Sequence, residues 1–262
     1  MQSSVYWLLG LNVAGKVAAW LLFARAPWVA VTGWVVTDVL VLYHLLVPGA
    51  QGFGRVYRSF ETPDREVWLT LDDGPDPEDT PRVLALLAEY GARATFFVIG
   101  EHAERHPELI RAIQAGGHEI AHHTHTHPLA SFWCATPARL RRELRPALEV
   151  LGALGVRPRW FRSPAGLNNF WLAKELQACD LARVGWSVRG LEYSSWDAQE
   201  VVERVAQRVV PGSIILMHEG PRMPGEVRLN ALRGVLERLR ATGYACVLPE
   251  ATQLRCAPAL AR

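Results

Sequence analysis

The chain has no CxxC pair. Its four cysteines, Cys134, Cys179, Cys246 and Cys256, are scattered through 262 residues. That spacing argues against a zinc-thiolate site or a disulfide framework and reads as free or buried thiols. Net charge is small: 28 Lys and Arg against 26 Asp and Glu leave +2, too weak a field to draw nucleic acid. Charge is almost missing from the first fifty residues, where only Lys16, Arg25 and Asp38 carry it. No basic leader precedes the first apolar run, and that run is long and doubled, which argues against a cleavable signal peptide.

What the first fifty residues do contain is two apolar segments, Val5–Phe23 and Trp28–Val47. Each is about 20 residues, the length that crosses a ~30 Å hydrocarbon core. Arg25-Ala26-Pro27 separates them, too short for anything but a tight turn. Tyr6, Trp7, Trp20, Trp28 and Tyr43 lie near the segment ends, as interfacial aromatics do. Lys16 and Asp38 lie at similar depth on the two arms, counted from the turn, so an antiparallel hairpin would pair them. The reading is a membrane-associated helical hairpin over 1–50; a monotopic, partly inserted hairpin is the alternative. Arg55, Arg58 and Arg65 follow the second segment, whereas the turn has only Arg25. The positive-inside rule then puts both termini and the following domain on the cytoplasmic side of an inner or plasma membrane. Residues 51–63 read as a linker, and 64–262 as one soluble domain.

Within that domain the pattern alternates. Strands are expected at Val67–Leu71, Ala94–Ile99, His118–His122, Trp160–Arg162, Ala182–Ser187, Ser213–Met217 and Tyr244–Leu248. Helices are expected at Pro81–Tyr90, Pro107–Ala115, Pro137–Leu154 (kinked or restarted at Pro146), Asn169–Ala178, Ala198–Val209 and Val227–Ala241. Seven or so βα units imply an α/β fold with a parallel, closed or nearly closed barrel. In such folds chemistry gathers at the strand C-terminal ends. The unusual stretches fall there: Asp72-Asp73-Gly74-Pro75, the histidine cluster Gly117–Pro128, Ser163–Gly166 and His218.

Seven of nine histidines lie between His102 and His127, and neutral imidazole is the commonest metal ligand. The stretch is internal and mixed, unlike an expression tag. Asp73, His123 and His127 would make an Asp-His-His site with a position open for water and substrate. One turn of helix would place His123 and His127 on one face. Asp72 is adjacent and suits a general base. His218, at the end of another strand, suits protonation of a leaving amine, or is simply structural.

Four stretches carry a resemblance. Leu69–Pro75, His123–His127, Phe161–Gly166 and Ile214–His218 resemble, in order, motifs of the polysaccharide deacetylase group (NodB-homology, carbohydrate esterase family 4). The resemblance covers about residues 65–250. It implies a distorted (β/α)7-type barrel and a metal-dependent hydrolase that removes N-acyl groups from amino sugars. Carried onto this sequence, Asp72 becomes the general base, Asp73, His123 and His127 the ligands of a divalent metal (zinc, with cobalt, nickel or manganese also suited), and His218 the general acid. Arg162 would orient Asp72, the backbone N–H of Ala165 would face the oxyanion, and Leu216 would line the acyl-methyl pocket.

Two positions depart from the family pattern. Ala165 stands where Tyr is usual. The fourth motif reads Trp186-Ser187-Val188-Arg189-Gly190-Leu191-Glu192-Tyr193, with Arg189 at the acid that supports the Arg–base pair and Glu192 as the other available carboxylate. An added guanidinium at the rim suits a substrate phosphate. Together with the hairpin it points to an N-acetyl- or N-formyl-amino sugar on a polyprenyl phosphate. Three alternatives stand beside it: an outward-facing peptidoglycan or exopolysaccharide deacetylase, an inactive metal-holding sugar-binding module, and a nucleotide-sugar transferase, the last disfavoured by the histidine pair.

Overall fold

A computed structural model describes residues 3–192, 197–220 and 225–258. The chain opens with two antiparallel helices, α1 (Ser3–Leu22) and α2 (Pro27–Leu46). Lys16 Nζ lies 2.9 Å from Asp38 Oδ1, so the two charges meet across the hairpin. Asn12 donates to the same carboxylate oxygen. Among the described residues, Pro27–Leu46 is the helix long and apolar enough to cross a membrane, and Tyr6–Leu22 is a shorter apolar helix.

The domain that follows is built on a curled, mainly parallel sheet. Its strands are β1 (Ser59–Phe60), β2 (Glu66–Asp72), β3 (Ala94–Val98), β4 (Glu119–His122), β5 (Trp160–Phe161), β6 (Ala182–Arg183), β7 (Val188–Arg189), β8 (Ser213–His218), β9 (Ala245–Cys246) and β10 (Leu254–Arg255). They run in the order β10-β1-β8-β2-β3-β4-β5-β6, with β7 beside β8 and β9 beside β2. Helices α3 (Asp79–Glu89), α4 (Gly100–Arg105), α5 (Pro107–Ala115), α6 (Pro137–Ala153), α7 (Leu172–Gln177), α8 (Ala198–Ala206) and α9 (Gly225–Ala241) connect them. This is the distorted (β/α) barrel expected. Several details differ: α6 runs through Pro146 without restarting, α7 is shorter than Asn169–Ala178, the strand expected over Ala182–Ser187 ends at Arg183, and α4, β1, β7 and β10 are additional.

Residues 51–63 are bound into the domain rather than spanning free space. Phe53 is buried. Tyr57 bridges Val184, and Ser59 pairs with both Ser213 and Arg255. These few residues therefore join the β6 end of the sheet to β8 and β10 across the seam.

Period-2 alternation sorts the strands into an outer and an inner face. Val67, Leu69 and Leu71 of β2 and Ile215 and Met217 of β8 pack outward against the helices in the largest apolar cluster. Trp68, Phe97, Ala121, Trp160 and Ile214 turn inward and fill the barrel. Because β2 and β8 are packed on both faces, they read as nearly continuous apolar runs. Further along the inner rows come Thr70 and Asp72 on β2, and Leu216 and His218 on β8. The apolar plug ends there, and polar chemistry starts at the C-terminal edge.

Candidate metal and hydrolytic centre

Parallel pairing of β2 with β8 puts Asp72 in register with His218. The chain then turns at Asp73, whose φ of 73° swings its carboxylate across the edge. Asp73 Oδ1 lies 3.3 Å from His123 Nε2 and 3.2 Å from His127 Nε2. The donor atoms of Asp73, His123 and His127 all lie within 4.8 Å of one another. Ligands at roughly 2.0–2.2 Å in tetrahedral geometry stand about 3.4 Å apart, so the triad fits a small divalent cation as it stands. His123 Nδ1 lies 2.8 Å from the Arg162 carbonyl. That bond places the proton on Nδ1 and leaves Nε2 as the free donor, the usual support for a ligating imidazole. Burial works against the Asp73 charge, but hydrogen bonding to His123 and the neighbouring imidazoles hold its carboxyl well below the usual carboxylate range.

The histidines converge without a helix. Residues 123–128 form a loop, with left-handed backbone at Thr124 (φ 66°) and His127 (φ 53°). The single helical turn expected between His123 and His127 is thus replaced by a tight loop with its own supports. Buried Glu143 of α6 accepts from the backbone N–H groups of His125 and Thr126 and from the Thr126 hydroxyl. His127 N–H donates to Thr124 Oγ1. His122 points the other way, toward the Leu144 carbonyl, and burial pushes its pKa down to about 4, so it is a neutral structural histidine. His102 packs its ring nitrogen on the Asp73 carbonyl. Only two of the seven clustered histidines join the Asp73 site.

Arg162, fully buried at the end of β5, makes a 2.6 Å ion pair with Asp72 Oδ1. Its other N–H groups go to Thr70 Oγ1 and to the carbonyls of Val184 and Gly185, and its plane lies over the Phe97 ring. Among the described residues, no carboxylate other than Asp72 pairs with Arg162. Glu192 does offer a carboxylate, but to a different group: its Oε2 lies 3.3 Å from His218 Nδ1. Burial alone would lower the His218 pKa; the charges of Glu192, Asp72 and Asp73 outweigh it and raise the imidazole to about 9. Tyr193 lies outside the described residues.

Asp72, Asp73, His123, His127, Leu216 and His218 share one cavity of about 420 Å³, whose rim includes Ala165 and Arg189. Arg189 faces Leu216 in register and has no ion pair among the described residues. Ala165 sits in the left-handed region (φ 49°) in the turn after Arg162. That turn is held by Arg183, a buried guanidinium bonded to Asn168 Oδ1, Ser163 Oγ and the carbonyls of Gly166 and Leu167. Asn168 in turn reaches the hairpin: its amide donates to the carbonyls of His44 and Ala50, and its backbone N–H to Leu45. Gly166, packed between Trp186 and Pro48, leaves no room for a Cβ.

Sequence reasoning missed Thr70, Glu143, Asn168, Arg183 and Glu219. Glu219 lines the cavity and is fully buried; burial pushes its pKa up to about 8. Buried charge at core-facing positions, as at Glu143 between Leu140 and Leu144, was the available signal.

The sequence profile described as polysaccharide deacetylase matches residues 60–184. A chitooligosaccharide deacetylase of Bradyrhizobium sp. (strain ANU 289) is 39% identical over 166 residues, 63% of this chain and 74% of the relative. A peptidoglycan-N-acetylglucosamine deacetylase of Bacillus cereus is 32% identical over 192 residues, covering 72% and 89%. Among solved structures, the Bc1960 peptidoglycan N-acetylglucosamine deacetylase aligns with a TM-score of 0.66 at 32% identity, over 72% of this chain and 88% of that one. A family 4 carbohydrate esterase from Streptomyces lividans, in complex with acetate, gives a TM-score of 0.66 at 28% identity, over 76% and 100%.

Proposed function

Since the chain belongs to the polysaccharide deacetylase family, we propose that it hydrolyses the N-acyl group of an amino sugar in this cavity. The observation that carries the reading is the pairing of Asp72 and His218 on adjacent strands, each with a buried partner, beside an Asp-His-His triad. Asp73, His123 and His127 would hold a divalent cation, which when bound would supply Lewis acidity and acidify a water; zinc suits the donors, as do cobalt, nickel and manganese. Asp72, fixed by Arg162, accepts a proton from the attacking water. The Ala165 N–H faces the oxyanion of the tetrahedral carbon. His218, held by Glu192, gives a proton to the departing amine. Leu216 bounds the acyl methyl.

The membrane hairpin over 1–50 and the site are one structure in this reading, because Asn168 joins them. Arg189, on the rim and without an ion pair among the described residues, suits a phosphate. The substrate is therefore an N-acetyl- or N-formyl-amino sugar on a polyprenyl phosphate, met at the membrane, with Arg55, Arg58 and Arg65 favouring a cytoplasmic domain. A second reading, a membrane-anchored deacetylase of chito-oligosaccharide or peptidoglycan, is favoured by what its relatives are named for. The test is acetate or formate release by the full-length chain from a polyprenyl-phosphate-linked N-acyl sugar and from a neutral chito-oligosaccharide. Asp72→Asn should silence both. Arg189→Ala should weaken the first far more than the second; equal losses remove the phosphate assignment. Release unaffected by Asp72→Asn would sink the hydrolase reading itself.

A further inference from the structure

Outside the hairpin, the described residues expose only three large hydrophobic side chains: Leu129 at 39%, Trp133 at 37% and Trp171 at 48%. Single exposed apolar residues need no explanation. These three are not single. Leu129 follows the ligand His127 by two residues and lines the cavity. One side-chain amide ties the two tryptophan segments together: Asn169 donates to the carbonyls of Phe132, Trp133 and Ala135, and accepts from the Trp171 N–H. Leu129 thus stands at the cavity mouth, four residues before Trp133, and Asn169 holds Trp133 and Trp171 to one side chain.

Asn168, the next residue in the chain, caps the last turn of α2 through His44 and Leu45 and holds Ala50. Leu46 and Val47, at the end of that helix, are exposed too. The buried Asn168–Asn169 pair thus ties the end of the hairpin, with exposed Leu46 and Val47, to the segments that carry exposed Trp133 and Trp171. Tryptophan, with an apolar body and one N–H, is the side chain that favours a headgroup boundary. Basic residues accompany it. Arg139, in the first turn of α6 just after Trp133, is exposed, as are Arg142 and, on α7, Lys174. Arg141 pairs with Glu175, which sets α6 and α7 side by side and neutralises that carboxylate.

Resting on the reading of 1–50 as a membrane hairpin, we propose that Leu129, Trp133 and Trp171 form a second, shallow membrane contact that seats the cavity mouth on an anionic bilayer surface. The hairpin holds the domain at the membrane; the patch sets its tilt, so that substrate enters along the headgroup layer. The contact does not require a lipid-linked substrate, since an anchored enzyme tilted this way also limits which glycans reach Asp72.

Cys134, exposed beside Trp133, is a native handle for the test. In full-length chain with Cys179, Cys246 and Cys256 changed to Ser, a nitroxide on Cys134 is compared by oxygen and nickel-chelate accessibility in nanodiscs of phosphatidylcholine and phosphatidylglycerol. Labels at V35C and E89C, each with Cys134 also changed to Ser, report the hairpin and bulk water. The expected result is interfacial accessibility at 134, shifted toward the aqueous value by W133S/W171S. A label at 134 as aqueous as that at 89, with 35 in lipid, overturns the seat and leaves the hairpin intact. An aqueous label at 35 overturns the hairpin reading and the seat with it. If W133S/W171S leaves the 134 label unmoved but raises KM for a soluble chito-oligosaccharide, the tryptophans are a sugar subsite and the membrane assignment fails.

Discussion

Glu192 Oε2 and His218 Nδ1 stand 3.3 Å apart at the edge of the cavity, the carboxylate buried and the imidazole half-exposed. Burial favours the neutral ring, and the carboxylate charge reverses that preference, lifting the pKa to about 9. An acid of that pKa stays protonated through neutral pH. Glu192→Gln keeps an acceptor but removes the charge, so the pKa must fall. The alkaline limb of kcat/KM should move to lower pH while the acid limb stays. Any cation in the triad would act on the imidazole in both proteins alike, so the comparison isolates Glu192. The same shift is a stability statement: the ion pair's contribution is complete below the unfolded value of 6.5 and is lost as pH rises through about 9. Urea melts of the two proteins should therefore converge above that pH. A limb that stays put in Glu192→Gln contradicts the pairing.

Asp72 and Arg162 are both buried, and each is the other's counter-ion. Removing Arg162 strands a buried carboxylate, a loss of about 3–5 kcal/mol. Arg162→Lys is nearly as harmful to the site, because an ammonium cannot reach Thr70, Val184, Gly185 and Asp72 together. It should lower kcat with little change in KM. Asp72→Asn removes the proposed base, and a drop of about 10²–10⁴ in kcat is expected. Unchanged kcat in Arg162→Lys would show that Asp72 is oriented by something else.

Much of this centre is legible in the sequence, and the reasons differ by residue. Asp72 and His218 close apolar runs, and buried parallel strands place such residues at one edge. Lys16 and Asp38 are matched by their distance from a three-residue turn, which a two-helix hairpin converts into contact. The bend that brings His127 to Asp73 is not legible, because it depends on Glu143 reaching from α6 to loop amides eighteen and seventeen residues away. Nor is the seam closed by Tyr57 and Ser59: runs that short carry no period, and the glycines around them read as a linker. Arg183 is hidden for a similar reason. Its acceptors are mostly backbone carbonyls, and a backbone carbonyl has no sequence signature.

The Asp73, His123 and His127 triad predicts a metal requirement visible without turnover. Chelator treatment should abolish acyl release, and zinc or cobalt should restore it. Metal at 100-fold over its Kd stabilises a folded state by roughly 2.7 kcal/mol. A melting-temperature rise on metal addition should therefore appear in the native chain and vanish in His127→Ala. A rise that survives in His127→Ala would place the ion elsewhere.

Asn168 gives the final prediction. It is buried, and its amide and backbone N–H satisfy His44, Leu45 and Ala50, while its side-chain oxygen accepts from Arg183. Asn168→Ala leaves two carbonyls and one guanidinium N–H without those partners, each unmet group costing about 1–3 kcal/mol. The loss falls on the turn that carries Ala165, three residues away, and on the joint with the hairpin. Two readouts should move together: kcat should fall, because the Ala165 N–H is no longer held in place, and protease cleavage between 47 and 58 should speed up. Asn168→Asp is the sharper variant. It keeps the contact with Arg183 but cannot donate to His44 and Ala50, so it separates the turn from the hairpin. Normal kcat with faster cleavage in Asn168→Asp would mean that the hairpin is tethered to the site without positioning it; a lower kcat together with faster cleavage establishes that the α2 end is part of the catalytic framework.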